Sequence, residues 1–248
     1  SGLLAAGTLA EYGVDTLILE KNHRAAKKVL ITGKGRCNVT NCCDISEFMG
    51  NVAAGGRFLY SALSRFSPYD TMGFFEDKGV PLKVERGQRV FPQSDKAEDI
   101  ADALLQYALG ANNKIWYDCP VRSLLLEDGM VRGVVLGDGQ KIFSEKVIVC
   151  TGGKSYPGTG STGDGYFFAK QAGHTVNPPV PSLIPLVIQE PFCKDAQGLS
   201  LRNISLKAVD EKTGKVIFEQ LGEMLFTHFR SLGTQCKLSY ASDGIWTV

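Results

Sequence analysis

The feature that most constrains the fold lies at the start of the chain, where a small-residue helix, a glycine and an apolar strand follow one another. Residues 2–10 are nearly all small or aliphatic, Gly13 is placed to end the helix, and the apolar residues 14–19 close at Glu20. A helix that leads through glycine into a buried parallel strand ending in an acid is the second half of a dinucleotide-binding βαβ unit. In that unit a fingerprint glycine opens the helix, and an acid about 20 residues later holds the adenosine ribose. Gly2 and Glu20 fit those two positions, so we expect an α/β fold with a parallel sheet.

A second segment, residues 33–41, combines glycines with polar side chains. Gly33 and Gly35 permit tight curvature, and Arg36 with the polar residues 38–41 supplies donors that suit a phosphate or a polar ring edge. The alternative is a solvated turn, which does not need so long a run of small and polar residues with an arginine in its middle.

A third segment follows the apolar residues 146–150, which predict another buried strand. That strand would end at Thr151, Gly152 and Gly153, and ligands in open α/β sheets gather at the carboxyl ends of strands. Four more glycines precede a helix that is expected to run to Ala172.

Between these segments the pattern predicts one amphipathic helix and a small antiparallel meander. Ser94 or Asp95 is expected to cap the helix, which ends near Leu109 and turns one apolar face to the core: Ala97, Ile100, Ala101, Leu104, Leu105 and Ala108. Residues 114–119, 121–127, 131–136 and 140–143 have the period of strands, with Asp-Gly turns at 128–129 and 138–139, and we interpret them as one meander.

The last third of the chain changes character after a group of prolines at residues 178–185. Short strand-like runs follow as far as Phe226, separated by Gly198, Gly214 and Gly222. We expect the prolines to mark a domain boundary.

Composition narrows the class of protein. The chain has 248 residues with 27 Lys and Arg against 26 Asp and Glu, a balance that gives no field to attract nucleic acid or an acidic membrane. No apolar run approaches the roughly 18 residues needed to span a bilayer, and the start lacks the pattern of a signal peptide. Seven scattered cysteines favour a reducing compartment over a disulfide framework. We expect a cytoplasmic protein with a small-molecule substrate and with no nucleic-acid or membrane partner, in an oligomeric state that the sequence leaves open.

Four ordered motifs resemble those of the BaiN/RdsA-type NAD(P)/FAD-dependent oxidoreductases, the YhiN-like flavoproteins. The motifs are residues 33–41, 151–165, 181–186 and 222–228, and the resemblance runs from Gly2 to about Phe229. It implies a glutathione-reductase-like FAD-binding Rossmann domain with an antiparallel β-meander, into which a β-barrel substrate domain with helices is inserted. Residues 1–184 would form the FAD-binding domain, residues 185–229 would begin the inserted barrel, and residues 230–248 would be an aberrant tail.

The resemblance also implies which residues hold FAD. Gly2 would face the pyrophosphate, Glu20 the adenosine ribose, and Val121 the adenine through its backbone. Residues 35–41 would line the flavin and the pyrophosphate, and residues 151–153 would close over the ribose and the diphosphate. The full set expected to bind the cofactor is Gly2, Glu20, Lys21, Gly33, Gly35, Arg36, Cys37, Asn38, Val39, Thr40, Asn41, Val121, Thr151, Gly152, Gly153, Gly163 and Asp164. No catalytic residue is identified, and no metal is expected, because His23, His174 and His228 lack the spacing of metal ligands.

The chain departs from the family pattern at both ends, and we expect it to be truncated there. The first strand, two fingerprint glycines and the returning segment that completes the flavin pocket have no counterpart. Where the family continues His-Phe-Gly-Leu-Ser-Gly-Pro, this chain has His228-Phe229 and then Arg230-Ser231-Leu232-Gly233-Thr234. Codons for these five residues, read one base later, can encode Gly-Leu-Ser-Gly-Pro, the family residues that follow His-Phe. A frameshift is therefore one hypothesis for residues 230–248, and an authentic divergent tail is the other.

Three functions stay open at this point. The first is an FAD-dependent oxidoreductase that transfers hydride from NAD(P)H through the flavin to an unidentified small organic substrate. The second is a nicotinamide dehydrogenase without flavin, and the third is a truncated, non-catalytic fragment of a flavin enzyme. Within the first, Cys37 and Cys42 have the spacing of the redox disulfide in glutathione-reductase-like enzymes, with idle thiols as the alternative.

Overall fold

A computed structural model of the chain describes residues 1–52, 55–110, 112–180, 186–188, 192, 195–227 and 236–242. The chain divides into two compact units, Ser1–Asp44 with Arg65–Pro178 and Ile45–Ser64 with Pro179–Val248. The helices are α1 (Gly2–Glu11), α2 (Ile45–Gly50), α3 (Gly56–Arg65), α4 (Pro68–Asp77), α5 (Ala97–Ala108) and α6 (Asp164–Gln171). The strands are β1 (Leu17–Leu19), β2 (Thr40–Asn41), β3 (Leu82–Glu85), β4 (Arg89–Pro92), β5 (Lys114–Trp116), β6 (Val121–Glu127), β7 (Met130–Leu136), β8 (Lys141–Phe143), β9 (Leu186–Ile188), β10 (Ser200–Val209), β11 (Val216–Thr227) and β12 (Cys236–Ser242).

The first unit is organised around α1, α5 and the strand that follows each helix. β1 and β5 lie parallel, with Ile18 opposite Ile115, which confirms the predicted parallel pairing around β1. The two helices approach closely at Gly7, because a Cβ there would lie 2.3 Å from the ring of Tyr107. Leu3 and Ala108 are buried in the cluster of apolar side chains between these elements.

The predicted amphipathic helix is confirmed as α5, but its predicted cap is wrong. Lys96 occupies the position before the helix and makes no side-chain cap. Asp95 instead adopts a left-handed φ of 59° and binds Arg36 and Lys83 with its carboxylate. The Ser94 hydroxyl donates to Asp99 at 2.5 Å and accepts from the Lys96 backbone N–H.

The antiparallel meander is confirmed as β6, β7 and β8, with one correction. Its inner face buries Leu124, Val134 and Leu136 against Phe168 of α6. Residues 114–119 do not belong to it, because β5 pairs with β1. The reason is connectivity: β5 follows α5 directly, so it returns to the parallel sheet as the second strand of a crossover.

A second correction concerns residues 146–150, which form no strand. Ile148 is 59% exposed and Val149 is 45% exposed. A strand exists only with a hydrogen-bonded neighbour, and within the described ranges no strand pairs with these residues. Val147 and Val149 instead border an apolar cavity of about 300 Å³ with Phe168 of α6.

The remaining sheet of the first unit is built from β2, β4 and β3 in that order, all antiparallel. α4 leads into it and begins with a capping box between Ser67 and Asp70. Phe75 of α4, Val80 and Ile100 of α5 are buried together beside this sheet.

The second unit contains an antiparallel sheet in the order β10-β11-β12-β9. Gly222 does not separate two strands as predicted, since it lies within β11 opposite Ile204 of β10 and Ser242 of β12. The motif residues 181–185 and His228 lie outside the described residues, and the predicted boundary at residue 184 stays a prediction. No helix in the described part of the chain is both long and apolar enough to cross a membrane.

Candidate functional site

The carboxyl end of β1 lies against the loop that precedes α6. We call residues 20–28 the strand-end segment and residues 151–165 the 151–165 loop. Lys21 Nζ donates to Asp164 Oδ2 at 2.7 Å and to Thr162 Oγ1 at 2.6 Å. Gly160 has a φ of +95°, and a Cβ there would lie 2.6 Å from Asn22 Nδ2, so the loop lies directly against the side chains of the segment.

Glu20 lies beside this contact and bonds to Asn22. Its Oε1 accepts from the backbone N–H of Asn22 at 2.8 Å and from the Asn22 side-chain amide at 2.7 Å. Its Oε2 accepts no hydrogen bond from any described residue, so one carboxylate oxygen keeps its capacity for a ribose hydroxyl.

Lys28 joins the same two segments at a second point. Its ammonium donates to the Ser155 carbonyl oxygen at 2.7 Å and to Ser155 Oγ at 2.8 Å, and it lies 3.5 Å from Ser161 Oγ. Ser161 is buried, and its hydroxyl would lie 3.3 Å from a Cβ at Gly152, whose φ is +74°.

Thr151 carries an unsatisfied hydroxyl at this site. Its Oγ1 is buried without a hydrogen-bond partner, and it would lie 2.8 Å from a Cβ at Gly165. An unpaired buried hydroxyl costs about 1–3 kcal/mol, so native structures rarely keep one without a reason. The orphaned hydroxyl, the glycine cradle and the open oxygen of Glu20 together fit a polar ligand such as a dinucleotide.

The N-terminus of α6 completes this arrangement. Gly163 has a φ of 89° at the cap position, and its N–H donates to the Gly153 carbonyl oxygen at 3.1 Å. Burial raises the pKa of the next residue, Asp164, but the hydrogen bonds from Lys21 and Thr162 and the charge of Lys21 outweigh this and hold the pKa below its ordinary value.

Gly2 and Val121 lie beside the same region. A Cβ at Gly2 would lie 3.3 Å from Cβ of Cys150, so the start of α1 adjoins the residue before Thr151. The N–H of Cys119 donates to the Glu20 carbonyl oxygen at 3.0 Å, which places β6 and its first residue, Val121, just beyond the end of β1. Of the residues predicted from sequence, the structure thus brings together Gly2, Glu20, Lys21, Val121, Thr151, Gly152, Gly153, Gly163 and Asp164.

The other predicted residues form the 33–41 loop, whose arginine is already paired with two carboxylates. Arg36 binds Glu85 and Asp95, the latter at 2.7 Å, and its guanidinium carbon lies 4.1 Å from the centroid of the Phe91 ring. The hydrogen bond to Glu85 and then that to Asp95 raise the pKa of Arg36 above its ordinary value. Lys83 binds the same Asp95 at 2.7 Å.

The backbone and the remaining side chains of the 33–41 loop are also engaged internally. A Cβ at Gly33 would lie 3.0 Å from the N of Asn38, and Asn41 Nδ2 donates to the Gly87 carbonyl oxygen at 2.9 Å. The amide of Asn38, oriented with its nitrogen toward the backbone, donates to the Thr40 carbonyl oxygen at 2.9 Å. Val39 donates its N–H to the Val90 carbonyl oxygen at 2.8 Å. Contacts of this loop therefore run to β4 and to the turn before it. Gly35, like Gly33, has a positive φ, and the loop's role toward a cofactor stays a prediction.

The thiol of Cys37 is part of this internal packing. It is buried in the cluster of Phe75 and Ile100, and burial raises its pKa. Cys37 and Cys42 both carry free thiols. A redox pair therefore draws no support from this site, because a raised pKa works against the reactive thiolate.

Sequence reasoning missed several residues of the site: Asn22, Lys28, Ser155, Ser161 and Thr162. Ser155, Ser161 and Thr162 lie within the 151–165 motif, and Asn22 and Lys28 lie near motif residues, which was their only signal. The contacts that join the loop to Lys21 and Lys28 span more than a hundred residues of sequence. In the described part of the chain, no cluster of three or more His, Cys, Asp or Glu side chains could hold a metal ion.

Comparison with known proteins identifies the family. Residues 1–242 match the family model described as the HI0933-like protein Rossmann domain. The chain is 34% identical over 234 residues to a 3-dehydro-bile acid delta(4,6)-reductase of Clostridium scindens, covering 92% of this chain and 54% of that protein. It is 26% identical over 229 residues to a ribosomal RNA dihydrouridine synthase of Escherichia coli K12, covering 92% of this chain and 55% of that protein. The chain thus spans about half the length of these curated relatives.

Solved structures give the fold. A quinol-fumarate reductase with menaquinol molecules superposes with a TM-score of 0.55 at 19% identity, covering 82% of this chain and 42% of that one. This likeness confirms a Rossmann-like α/β fold. The motif resemblance to BaiN/RdsA-type flavoproteins is confirmed by the family match and by the names of the relatives. The chain belongs to the HI0933-like Rossmann domain family.

Proposed function

We propose that this chain is the FAD-binding part of an oxidoreductase that transfers hydride from NAD(P)H through the flavin to a small organic substrate. The observation that carries the proposal is the contact between the strand-end segment and the 151–165 loop. There, Glu20 keeps a free carboxylate oxygen and Thr151 keeps a buried hydroxyl without a partner. The family match and the reductase among the relatives support it.

The residues of this chain bind and orient the dinucleotide. Glu20 would accept hydrogen bonds from the adenosine ribose, and the glycines of the 151–165 loop would let backbone approach the diphosphate. The Lys21–Asp164 ion pair holds the loop against the strand-end segment. The flavin, when bound, supplies the hydride chemistry, and the protein supplies position and electrostatics.

The substrate class is proposed from the relatives and from charge. The Clostridium scindens relative is named for the reduction of a bile acid, and we propose an unsaturated or keto compound as the acceptor. The Escherichia coli relative is named for ribosomal RNA. A net charge of +1 does not favour RNA binding, so we place a nucleobase in RNA second. The strands after residue 185 would begin the inserted barrel that holds the substrate.

The test is an absorption spectrum of the purified chain after incubation with FAD and gel filtration. We expect a retained flavin band whose shape differs from that of free FAD, and its bleaching by NADPH or NADH in the absence of oxygen. Binding of NADPH without retention of flavin would favour the nicotinamide dehydrogenase. A colourless protein that retains neither would make this chain a non-catalytic fragment.

A further inference from the structure

We propose that Lys28 binds the diphosphate of the dinucleotide at the 151–165 loop. In the sequence analysis, Arg36 is the cation among the residues expected to line the flavin and the pyrophosphate. The inference rests on the proposed function and assigns one contact within the same site.

The first argument compares Lys28 with two cations whose partners are described, Lys21 and Arg36. Lys21 is neutralised by Asp164, and Arg36 by Glu85 and Asp95. Lys28 bonds only to neutral oxygens, a carbonyl and two hydroxyls, and no described carboxylate lies within ion-pair distance of it. Because a phosphate can add most to a cation that lacks an anion, Lys28 is the best placed of the three.

The second argument is the state of the ammonium group. Two of its contacts, both to Ser155, are short, whereas the contact to Ser161 Oγ is 3.5 Å and lies at the limit of a hydrogen bond. One N–H is therefore weakly engaged. The Lys28 side chain is half-buried, and the Tyr156 ring lies 5.5 Å from Nζ. Both features reduce the number of waters that can solvate the charge, which strengthens its attraction to an anion.

The third argument is location. The Ser161 hydroxyl next to the Lys28 ammonium is also the atom nearest to a Cβ at Gly152. Lys28 therefore lies one hydroxyl away from the Gly152 backbone, where the chain has a positive φ of the kind found in turns whose amide groups bind phosphate. Arg36, by contrast, is held over Phe91 by two carboxylates.

The experiment titrates FAD against the 248-residue chain, with Lys28→Gln, Lys28→Arg and the matched control Lys27→Gln, which removes the same charge from the neighbouring position. Flavin fluorescence reports binding at low and high salt. Circular dichroism confirms that each variant is folded. ADP and adenosine are then used as competitors, since they differ by the diphosphate alone.

We expect Lys28→Gln to weaken FAD binding about 10- to 100-fold, the loss typical of one charge-assisted hydrogen bond, and to flatten its salt dependence. ADP should lose its advantage over adenosine in this variant. Lys28→Arg should retain most of the affinity, and Lys27→Gln should behave as the unmodified chain does. Equal losses for ADP and adenosine, or no loss, would overturn the assignment, because they would leave Lys28 a tether for the loop alone.

A second measurement needs no variant. Acetic anhydride labels exposed lysines, and mass spectrometry reports the extent of labelling at each one. ADP should protect Lys28 but not Lys27, and adenosine should protect neither; labelling of Lys28 that ignores ADP would overturn the proposal. Failure of the unmodified chain to bind FAD or ADP at all is a different result, since it would overturn the proposed function and this inference together.

Discussion

The 33–41 loop and the 151–165 loop have similar compositions, since each combines glycines with polar side chains and a nearby cation, but their internal contacts differ. In the 33–41 loop Arg36 is paired with two carboxylates, and the side-chain amides of Asn38 and Asn41 bond to backbone carbonyls. The 151–165 loop docks through Lys21 and Lys28, yet Thr151 is left with an unpaired hydroxyl.

The comparison shows that glycines and polar residues in a sequence predict a close approach of the backbone to another group. They do not predict whether that group is a ligand or another part of the chain. At Gly33 the backbone approaches the neighbouring Asn38 and Phe91, so the close approach supports the loop itself. At Gly152 the nearest group is the Ser161 hydroxyl, beside a cation that has no acid. Unsatisfied bonding capacity, rather than glycine content, distinguishes a ligand site from a self-supporting loop. Four predictions test this contrast.

The largest effect is expected at Gly165. In Gly165→Ala the new Cβ would lie 2.8 Å from Thr151 Oγ1, and overpacking of this kind lowers the free energy of unfolding by about 1–3 kcal/mol. The better helix propensity of alanine offsets part of that loss. Urea denaturation should show the loss in the unmodified background and its absence in the Thr151→Ala background. Equal effects in both backgrounds would mean that the hydroxyl of Thr151 is not trapped as described.

The next effect tests the self-supporting loop. Arg36→Met removes two partly exposed ion pairs, together worth up to about 1 kcal/mol, and a cation–π contact worth about 0.5–1 kcal/mol. Arg89→Met is the matched control, because Arg89 lies 6.0 Å from the same Phe91 ring and donates to a backbone carbonyl. We expect thermal denaturation to show the larger loss for Arg36→Met, with FAD affinity changed little. An Arg36→Met variant of normal stability that no longer binds FAD would contradict this prediction and would assign Arg36 to FAD binding.

The third effect has opposite signs for stability and binding. Thr151→Val keeps the shape of the side chain but removes a buried hydroxyl without a partner. The chain without FAD should therefore gain about 1 kcal/mol of stability, the lower end of the cost of such a group. Its FAD affinity should fall. Thr16 carries the other orphaned hydroxyl described, away from the 151–165 loop, and Thr16→Val should gain stability without affecting FAD. Identical behaviour of the two variants toward FAD would remove the special role of Thr151.

The smallest effect is the pH dependence of the Lys21–Asp164 pair. The folded-state pKa of Asp164 is lowered, so the pair contributes its stabilisation fully above the pKa of an unfolded aspartate, about 3.9, and loses it as pH falls through the folded value. Asp164→Asn should cost less than about 1 kcal/mol at neutral pH, because both side chains are partly exposed. The difference between the two proteins in urea should shrink below about pH 4. A difference that persists in acid would assign the loss to packing rather than to charge.

The sequence predicts elements well where local signals agree. Gly13 ends α1, the Asp-Gly turns define the meander, and the apolar face of α5 is buried as its period requires. It fails at residues 146–150, where an apolar pattern cannot reveal whether a neighbouring strand is present to pair with it. It fails again at residues 114–119, where strand period does not say which sheet a strand joins.

The same limit applies to the candidate site, where local positions could be predicted from the sequence and long-range contacts could not. Glu20 could be selected because a fixed position in a βαβ unit implies it, and the glycines at 152 and 153 because they follow the apolar residues 146–150. Lys28 and Ser161 could not, because their contact joins residues that are 133 positions apart in the sequence. Asp95 was selected as a helix cap, and only the fold shows that Arg36 and Lys83 claim its carboxylate.

The contacts between Lys21 and Asp164 and between Lys28 and Ser155 join residues 143 and 127 positions apart. The ribosome adds about 5–20 residues per second, so Asp164 is synthesised roughly 7–30 s after Lys21. The bonds of the 33–41 loop close sooner, since Asp95 follows Arg36 by only 59 positions. During synthesis the nascent chain therefore completes the 33–41 loop before the 151–165 loop can dock. Under the proposed function, a dinucleotide would stabilise the first unit only once nearly all of that unit has emerged, and cofactor binding would belong to the last stage of folding.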